Sequence, residues 1–401
     1  MREKLELHCD VISGYAFSTS DWREEGIPVV KIGNISNGED ILCDEQTQYV
    51  DESFLAKLDE KYHISKGDVL ISLTGSHINQ PNSMVGRTCR SLTDRKYLLN
   101  QRVGKILPFD NTNKNYLYYL LSTKAVKYDI ANRAYGGANQ VNVSPKDIKK
   151  LKWEFPDLEI QKKIAGVLST YDELIENNNK RIKLLEQMAE NLYKEWFVLF
   201  RFPGYKSVAF EEKKSFGWVV SSREKSKVPV PFDYCKFAKL GRFVRGKNIT
   251  AAEMIEGKIP VISAGLQPSG YHNQANVQGR SLTISASGAN AGYLQYNLTD
   301  IWAADCSYYQ NDKNLWFVYC TLKFLQPVIN NLQCGAAQPH VYPKNINKLC
   351  VLNPTDELIT KFNDTVEPFF KEIEILKKKN DSLVKQRDLL LPRLMSGKLE
   401  V

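Results

Sequence analysis

The side chains best equipped for recognition chemistry are amides grouped with glycine. In Gly136-Gly137-Ala138-Asn139-Gln140-Val141-Asn142, three carboxamides follow two glycines. A carboxamide sets a donor beside an acceptor, the arrangement with which Asn or Gln pairs with an adenine edge. Glycine allows backbone to approach a phosphate closely. A polar turn whose amides bond their own backbone has the same composition, so both readings stand. A second group, Ser76-His77-Ile78-Asn79-Gln80-Pro81-Asn82-Ser83, follows a β-rich run and carries the same two readings.

Residues for bond-making chemistry are harder to find. Gly241-Arg242-Phe243-Val244-Arg245-Gly246-Lys247-Asn248 comes within one residue of a P-loop, but Asn248 stands where the magnesium-binding hydroxyl is required. The histidines, at 8, 63, 77, 272 and 340, show no ligand-like spacing, so no metal site is expected. The eight cysteines, at 9, 43, 89, 235, 306, 320, 334 and 350, form no CxxC pair, which excludes zinc ribbons and thioredoxin-like sites. Pro156-Asp157 resembles half of a nuclease carboxylate pair, yet Asp157 is better placed to complement a helix N-terminus. No nucleophile with a neighbouring base can be named, and no catalytic residue is expected.

The elements that position these residues are duplicated. Gly137 to Leu151 returns as Gly335 to Leu349, with nine of fifteen positions identical at an offset of 198. In the second copy Gln338 and His340 stand where the first has Gln140 and Asn142. Upstream, Gly14 and Ile27-Pro28-Val29 match Gly246 and Ile259-Pro260-Val261 at an offset of 232. Ile71-Ser72 and Gly75 match Ile284-Ser285 and Gly288 at 213, and Leu92-Thr93-Asp94 matches Leu298-Thr299-Asp300 at 206. Shared anchors with shrinking offsets mean that the first copy carries longer loops. The loop at Ser76 is matched by the shorter Ala289-Asn290-Ala291. Short β-rich runs at 27–32, 69–73, 104–107, 259–263 and 281–285, with helical stretches at 115–129 and 314–330, predict two mixed α/β domains.

A long helical pattern follows each copy. Apolar residues at 4-3 spacing run Ile164, Leu168, Tyr171, Ile175, Asn178, Ile182, Leu185, Ala189, Leu192, Trp196 and Leu199. The same positions plus 198 give Phe362, Val366, Phe369, Ile373, Leu376, Asn380, Leu383, Arg387, Leu390 and Leu394. Heptads of this length predict a coiled coil, with a kink or an early end expected at Pro368 and Pro392. The expected divisions are therefore 1–154, a helix over 155–200, a linker over 201–231, a second domain over 232–353, and a helix over 354–401.

This plan resembles the specificity subunit of type I restriction–modification enzymes. The stretch from Phe155 to Leu168, continued by Asn191 to Phe197, is similar to that family's central conserved region, and Leu390 to Leu399 to its distal one. The resemblance implies an α+β fold: two target-recognition domains, each followed by a long helix, the helices forming an antiparallel coiled coil. It implies a non-catalytic chain that reads a bipartite double-stranded DNA target and directs two methyltransferase subunits and the restriction subunits to it. S-adenosylmethionine, ATP and magnesium belong on those partners, with no cofactor in this chain. The methyltransferase motif Asn/Asp-Pro-Pro-aromatic is absent, the nearest string being Asn353-Pro354-Thr355, which disfavours a self-contained methyltransferase or endonuclease. A helical scaffold pairing two ligand-binding domains unrelated to DNA is a third reading.

Composition agrees with this without proving it. Lys plus Arg (54) exceeds Asp plus Glu (46) by 8, and 43% of residues are hydrophobic and 25% charged. No apolar run reaches membrane-spanning length, and the charged N-terminus does not resemble a signal peptide, so a cytoplasmic location and no membrane partner are expected. The DNA-contact candidates are Ser76, His77, Asn79, Gln80, Gly137, Asn139, Gln140 and Asn142 in the first copy, and Asn290, Gln338 and His340 in the second. Arg102, Arg133, Arg245 and Lys247 are candidate phosphate partners. Pairing the helices so that residue numbers sum to 558 sets Ile164 against Leu394 and Trp196 against Phe362. That register sets Asn178 opposite Asn380, where the two amides would fix it.

Overall fold

The computed structural model describes residues 2–35, 40–44, 46–77, 80, 84–137, 140–214, 225–335 and 339–401. The chain divides into two compact units, residues 1–176 with 380–401, and residues 177–379. Each is a mixed α/β body, and the duplication read from the sequence reappears in the order and register of their sheets.

In the first unit an antiparallel sheet orders the strands Cys9–Ser13, Val103–Pro108, Val69–Ser72 and Thr88–Arg90. In the second unit the order is Val244–Arg245, Cys306–Tyr309, Ser281–Ser285 and Leu294–Asn297. Gly104 lies between Ser13 and Ile71, as Ser307 lies between Arg245 and Ile284. Ser13 to Arg245 is the offset of 232, and Ile71 to Ile284 that of 213, so anchors and ladder agree. The run Val69-Leu70-Ile71 is apolar throughout because both faces are covered. Val69 and Ile71 join the core beneath the helices, while Leu70 joins a second cluster with Cys89 and Val103.

A second sheet in each unit contains one parallel pair. Ile27–Val30 runs beside Tyr97–Leu99, and Ile259–Ile262 beside Trp302–Ala303. The glycine anchor is explained here. A Cβ on Gly14 would lie 2.2 Å from the Leu99 carbonyl oxygen, and one on Gly246 2.4 Å from that of Ala304. Only glycine allows the chain to pass these strand ends so closely. A two-stranded ribbon then closes each copy, Arg2–Lys4 with Lys152–Glu154 and Asp233–Lys236 with Cys350–Asn353.

The helical stretch expected at 115–129 is two helices, Lys114–Ser122 and Lys124–Asn132. Thr123 ends the first, and its hydroxyl caps the second by accepting the Val126 N–H at 3.3 Å. The counterpart at 314–330 likewise divides into Leu315–Phe324 and Gln326–Asn330, with Pro327 in the opening turn. Within 201–231, Phe210–Lys214 pairs antiparallel with Lys225–Pro229, and Phe202 is buried in the second unit's core.

The first long helix spans Leu158–Tyr193 and passes into a π-helical turn, Lys194–Val198. Its first turn is tied to the domain by buried Gln161, whose oxygen accepts the Asn113 N–H at 2.9 Å while its amide donates to the Pro156 carbonyl at 2.8 Å. The second spans Asp356–Met395 without interruption, so the early end expected at Pro368 and Pro392 does not occur. Both prolines are exposed, and so are Asp364 and Asp388 one turn back, where water can take the carbonyls that the rings leave unbonded. In the first unit Ile164, Ala165 and Leu168 share a buried cluster with Leu394 and Met395. In the second unit Ile182, Ala189 and Trp196 share one with Phe362, Val366, Ile373 and Leu376.

The 4-3 pattern misplaces two residues. Phe370 is fully buried, stacked on Trp316 with ring centroids 3.6 Å apart, whereas Phe369 is only partly covered. A helix of 3.6 residues per turn drifts from a 3.5 repeat, and Trp316 supplies a flat partner at the drifted position. Leu199 is exposed beyond the π turn, which carries it off the stripe.

Candidate nucleic-acid interface

The amide-rich segment of the first copy is a hairpin. Tyr135–Gly137 pairs with Gln140–Asn142, Gly137 facing Gln140. Gly136 has a positive φ of 146°, and a Cβ there would meet the Gln140 carbonyl oxygen at 2.4 Å, so the turn requires glycine. Thr74–Gly75 adds a third strand on the far side of Gln140–Asn142. Because Ser76 follows directly, the small sheet brings Ser76 and Gln140, far apart in sequence, to the same end of their paired strands.

Within that sheet the side chains divide by availability. Gln140, Gly137 and Tyr135 are exposed. Asn142 is half-buried, and its oxygen accepts the Thr74 hydroxyl at 2.7 Å, which ties hairpin to strand. Ser76 is buried, and its hydroxyl donates to the Gln80 carbonyl at 2.8 Å. His77 and Gln80 close that turn through the Gln80 N–H and His77 carbonyl at 3.0 Å. Asn79 and Asn139 lie outside the described residues.

The second copy repeats the juxtaposition with less strand. His340 bridges both Ser287 and Cys334, and the Gly288 N–H donates to the Pro339 carbonyl at 3.1 Å. The Val341 N–H reaches the Ala286 carbonyl at 3.0 Å, as the Val143 N–H reaches that of Leu73 at 2.9 Å. Half-buried Asn290 accepts the Tyr293 N–H on its backbone carbonyl at 3.0 Å, which turns the short loop. The His340 ring lies nearly parallel to exposed Tyr342, and Lys344 is 5.6 Å from the Tyr342 ring centre. Gln338 lies outside the described residues.

The four candidate phosphate partners fare differently. Arg133 is paired with Asp129 at 3.1 Å. Arg245 is paired with Asp305, which also accepts the Ser287 hydroxyl, so its charge is already answered within the fold. Lys247 is exposed, 6.0 Å from the Trp302 ring centre, and its carbonyl accepts the indole N–H at 2.8 Å. Arg102 is exposed at a cleft of about 380 Å³ formed with Phe17, Trp22, Lys31 and Asn100. Lys31 and Trp22 were not legible as site residues from the sequence. The available signal was divergence beside a shared anchor, since at the offset of 232 they correspond to Ser263 and Met254.

The near P-loop offers no phosphate cradle. The Gly246 N–H donates to the Cys306 carbonyl at 2.8 Å and the Lys247 N–H to that of Ala303 at 2.9 Å, so the amides a phosphate would need are spent in the sheet. Burial pushes the Cys9 thiol up to about 12, which suits a core residue rather than a nucleophile. Among the described residues no group of three or more His, Cys, Asp or Glu is placed to hold a metal ion, and no helix is long and apolar enough to cross a membrane. Asn178 is buried in the second unit, and Asn380, half-buried, belongs to the first.

A family profile described as the type I restriction modification DNA specificity domain matches residues 6–187 and again residues 237–385. The type I restriction enzyme MjaIX specificity subunit of Methanocaldococcus jannaschii is 29% identical over 319 residues, covering 75% of this chain and 73% of that one. The HindI specificity subunit of Haemophilus influenzae is 22% identical, with 84% and 88% covered. A crystal structure of a type I restriction–modification system S subunit from M. genitalium shares the fold with a TM-score of 0.55 at 20% identity, over 98% of this chain and 96% of that one. With two profile matches falling on the two copies of the duplicated sheet plan, this chain belongs to the type I restriction–modification DNA specificity family.

Proposed function

We propose that the chain reads a bipartite double-stranded DNA target, one half per copy, and directs methyltransferase and restriction subunits to it without chemistry of its own. The readers are the regions 1–154 and 232–353, joined through the linker 201–231. The helical regions 155–200 and 354–401 form an antiparallel coiled coil that spaces the readers. S-adenosylmethionine, ATP and magnesium act on the partner subunits.

The observation that carries this reading is duplication with divergence at one place. Sheet order and ladder register repeat between copies, while the loops 76–83 and 289–291 differ in length. A common scaffold with unlike loops is what two readers of unlike half-sequences require. The coiled-coil reading is supported by the clusters that join Ile164 with Leu394 and Trp196 with Phe362, pairs that both sum to 558. Docking of methyltransferase subunits is supported by exposed Ile160, Val167 and Leu174, 40, 38 and 40% accessible, which recur every seven residues on one face of the first helix.

Methylome sequencing of the host with and without this gene tests the proposal. Loss of methylation at one split motif, two short specific halves around a fixed unspecified spacer, is expected. An unchanged methylome, or loss at an uninterrupted motif, would contradict it.

A further inference from the structure

Several cations of the first unit are answered by carboxylates. Asp172 holds Arg90 and Arg387, Asp68 holds Lys105 and Lys114, and Asp129 holds Arg133. Lys31 and Arg102 are arranged differently. Lys31 leaves the end of Ile27–Val30, and Arg102 follows shortly after Tyr97–Leu99. These strands are parallel neighbours, so their carboxyl ends deliver both side chains to the same cleft.

No carboxylate among the described residues pairs with either one. The Lys31 ammonium donates to the Gln48 side-chain oxygen and lies 4.4 Å from the Trp22 ring centre. Burial, and then the like charge of Arg102, lowers the Lys31 pKa from its ordinary value. Asn100, only 6% accessible, uses its side-chain oxygen to accept the Arg102 N–H at 3.3 Å, and no described residue takes its amide N–H. Phe17 and Trp22 form an apolar wall. Two like charges converging beside an amide donor that no described residue takes make a place that an anion would stabilise. A lysine point charge beside an arginine fork suits tetrahedral phosphate oxygens.

We infer that this cleft grips one phosphodiester of the DNA backbone in the half-target read by the first copy, with Lys31 and Arg102 on its oxygens and Asn100 donating to the same group. The inference rests on the DNA-reading function proposed above. It also makes the two readers unequal, because Ser263 and Met254 at the corresponding positions of the second copy cannot build the grip.

The test uses the full chain and fluorescence anisotropy between 50 and 200 mM salt, on a labelled duplex carrying the methylome-defined motif and on a scrambled duplex. Lys31→Gln and Arg102→Gln are each expected to weaken binding to both duplexes alike. Each should also reduce the slope of log affinity against log salt by about 0.9, one phosphate contact. Lys31→Arg should restore most of that slope. Neutral methylphosphonates placed singly along the first half-site should reveal one position that weakens the natural protein but not Lys31→Gln. Variants that melt normally and bind with unchanged affinity and slope would overturn the grip. So would variants that keep the slope but lose preference at one base pair, since that marks a base reader. If the natural protein does not prefer its motif over the scrambled duplex, the DNA-reading proposal fails and the grip with it. Preference retained alongside indifferent variants would remove the grip alone.

Discussion

At the scale of single residues, exposed Gln140 and tied Asn142 make opposite predictions from one hairpin. Gln140→Ala should weaken specific binding by about 1–3 kcal/mol, the worth of a bidentate base contact, and leave the melting temperature alone. Anisotropy on the motif duplex with parallel melting curves checks this, and a lower melting temperature with unchanged affinity would assign Gln140 to scaffold. A second residue prediction concerns Asp68. Burial opposes its ionisation, but Lys105 at 2.8 Å, Lys114 at 2.7 Å and the Ser65 N–H at 2.9 Å hold its carboxyl below the ordinary value. A depressed carboxyl contributes stability above its unfolded value of about 3.9, and that stability is lost as pH falls through the folded value. Asp68→Asn should therefore cost roughly 3 kcal/mol near neutrality, because it strips buried Lys105 of its carboxylate partner, and progressively less in acid. Denaturant melts at neutral and acid pH read the difference directly. The composition that marked Gln140 marked Asn142, Ser76 and Arg245 equally. What separates them is Thr74, the Gln80 carbonyl and Asp305, partners fixed by folding rather than by composition.

At the scale of elements, the long second helix gives the sharpest case. Phe370→Ala should cost about 3–5 kcal/mol because it vacates the face stacked on Trp316, and Phe369→Ala about 1 kcal/mol. Equal costs, measured by urea denaturation, would mean that the strict heptad had the seam right. Strands were legible where apolar runs met turn residues, as at Val69–Ser72 and Ser281–Ser285. Helix interruptions were legible only in part. Thr123 reads as an ordinary helix residue until its capping bond is seen, whereas Pro368 reads as a breaker and is not, because its exposed side faces water. The third strand Thr74–Gly75 was invisible, since two residues carry no periodicity, yet it joins the chain before Ser76 to the strand that begins at Gln140.

At the scale of the whole molecule, the duplication was the most legible feature. The anchors at Gly14 and Gly246 proved to be close backbone approaches and those at Ile71 and Ile284 ladder positions, whereas Leu92-Thr93-Asp94 and Leu298-Thr299-Asp300 lie outside the strands. The return of residues 380–401 to the first unit was less so, because a heptad stripe shows that helices pair but not which domain their ends complete. Two copies of one scaffold with unlike loops make the central claim that recognition is divided between them. Replacing residues 1–150 with the corresponding region of another specificity subunit, followed by methylome sequencing, tests it most directly. A new motif in which one half has changed and the other half is kept is the predicted result. Both halves altered, or both unchanged in a protein that still supports methylation, would contradict it.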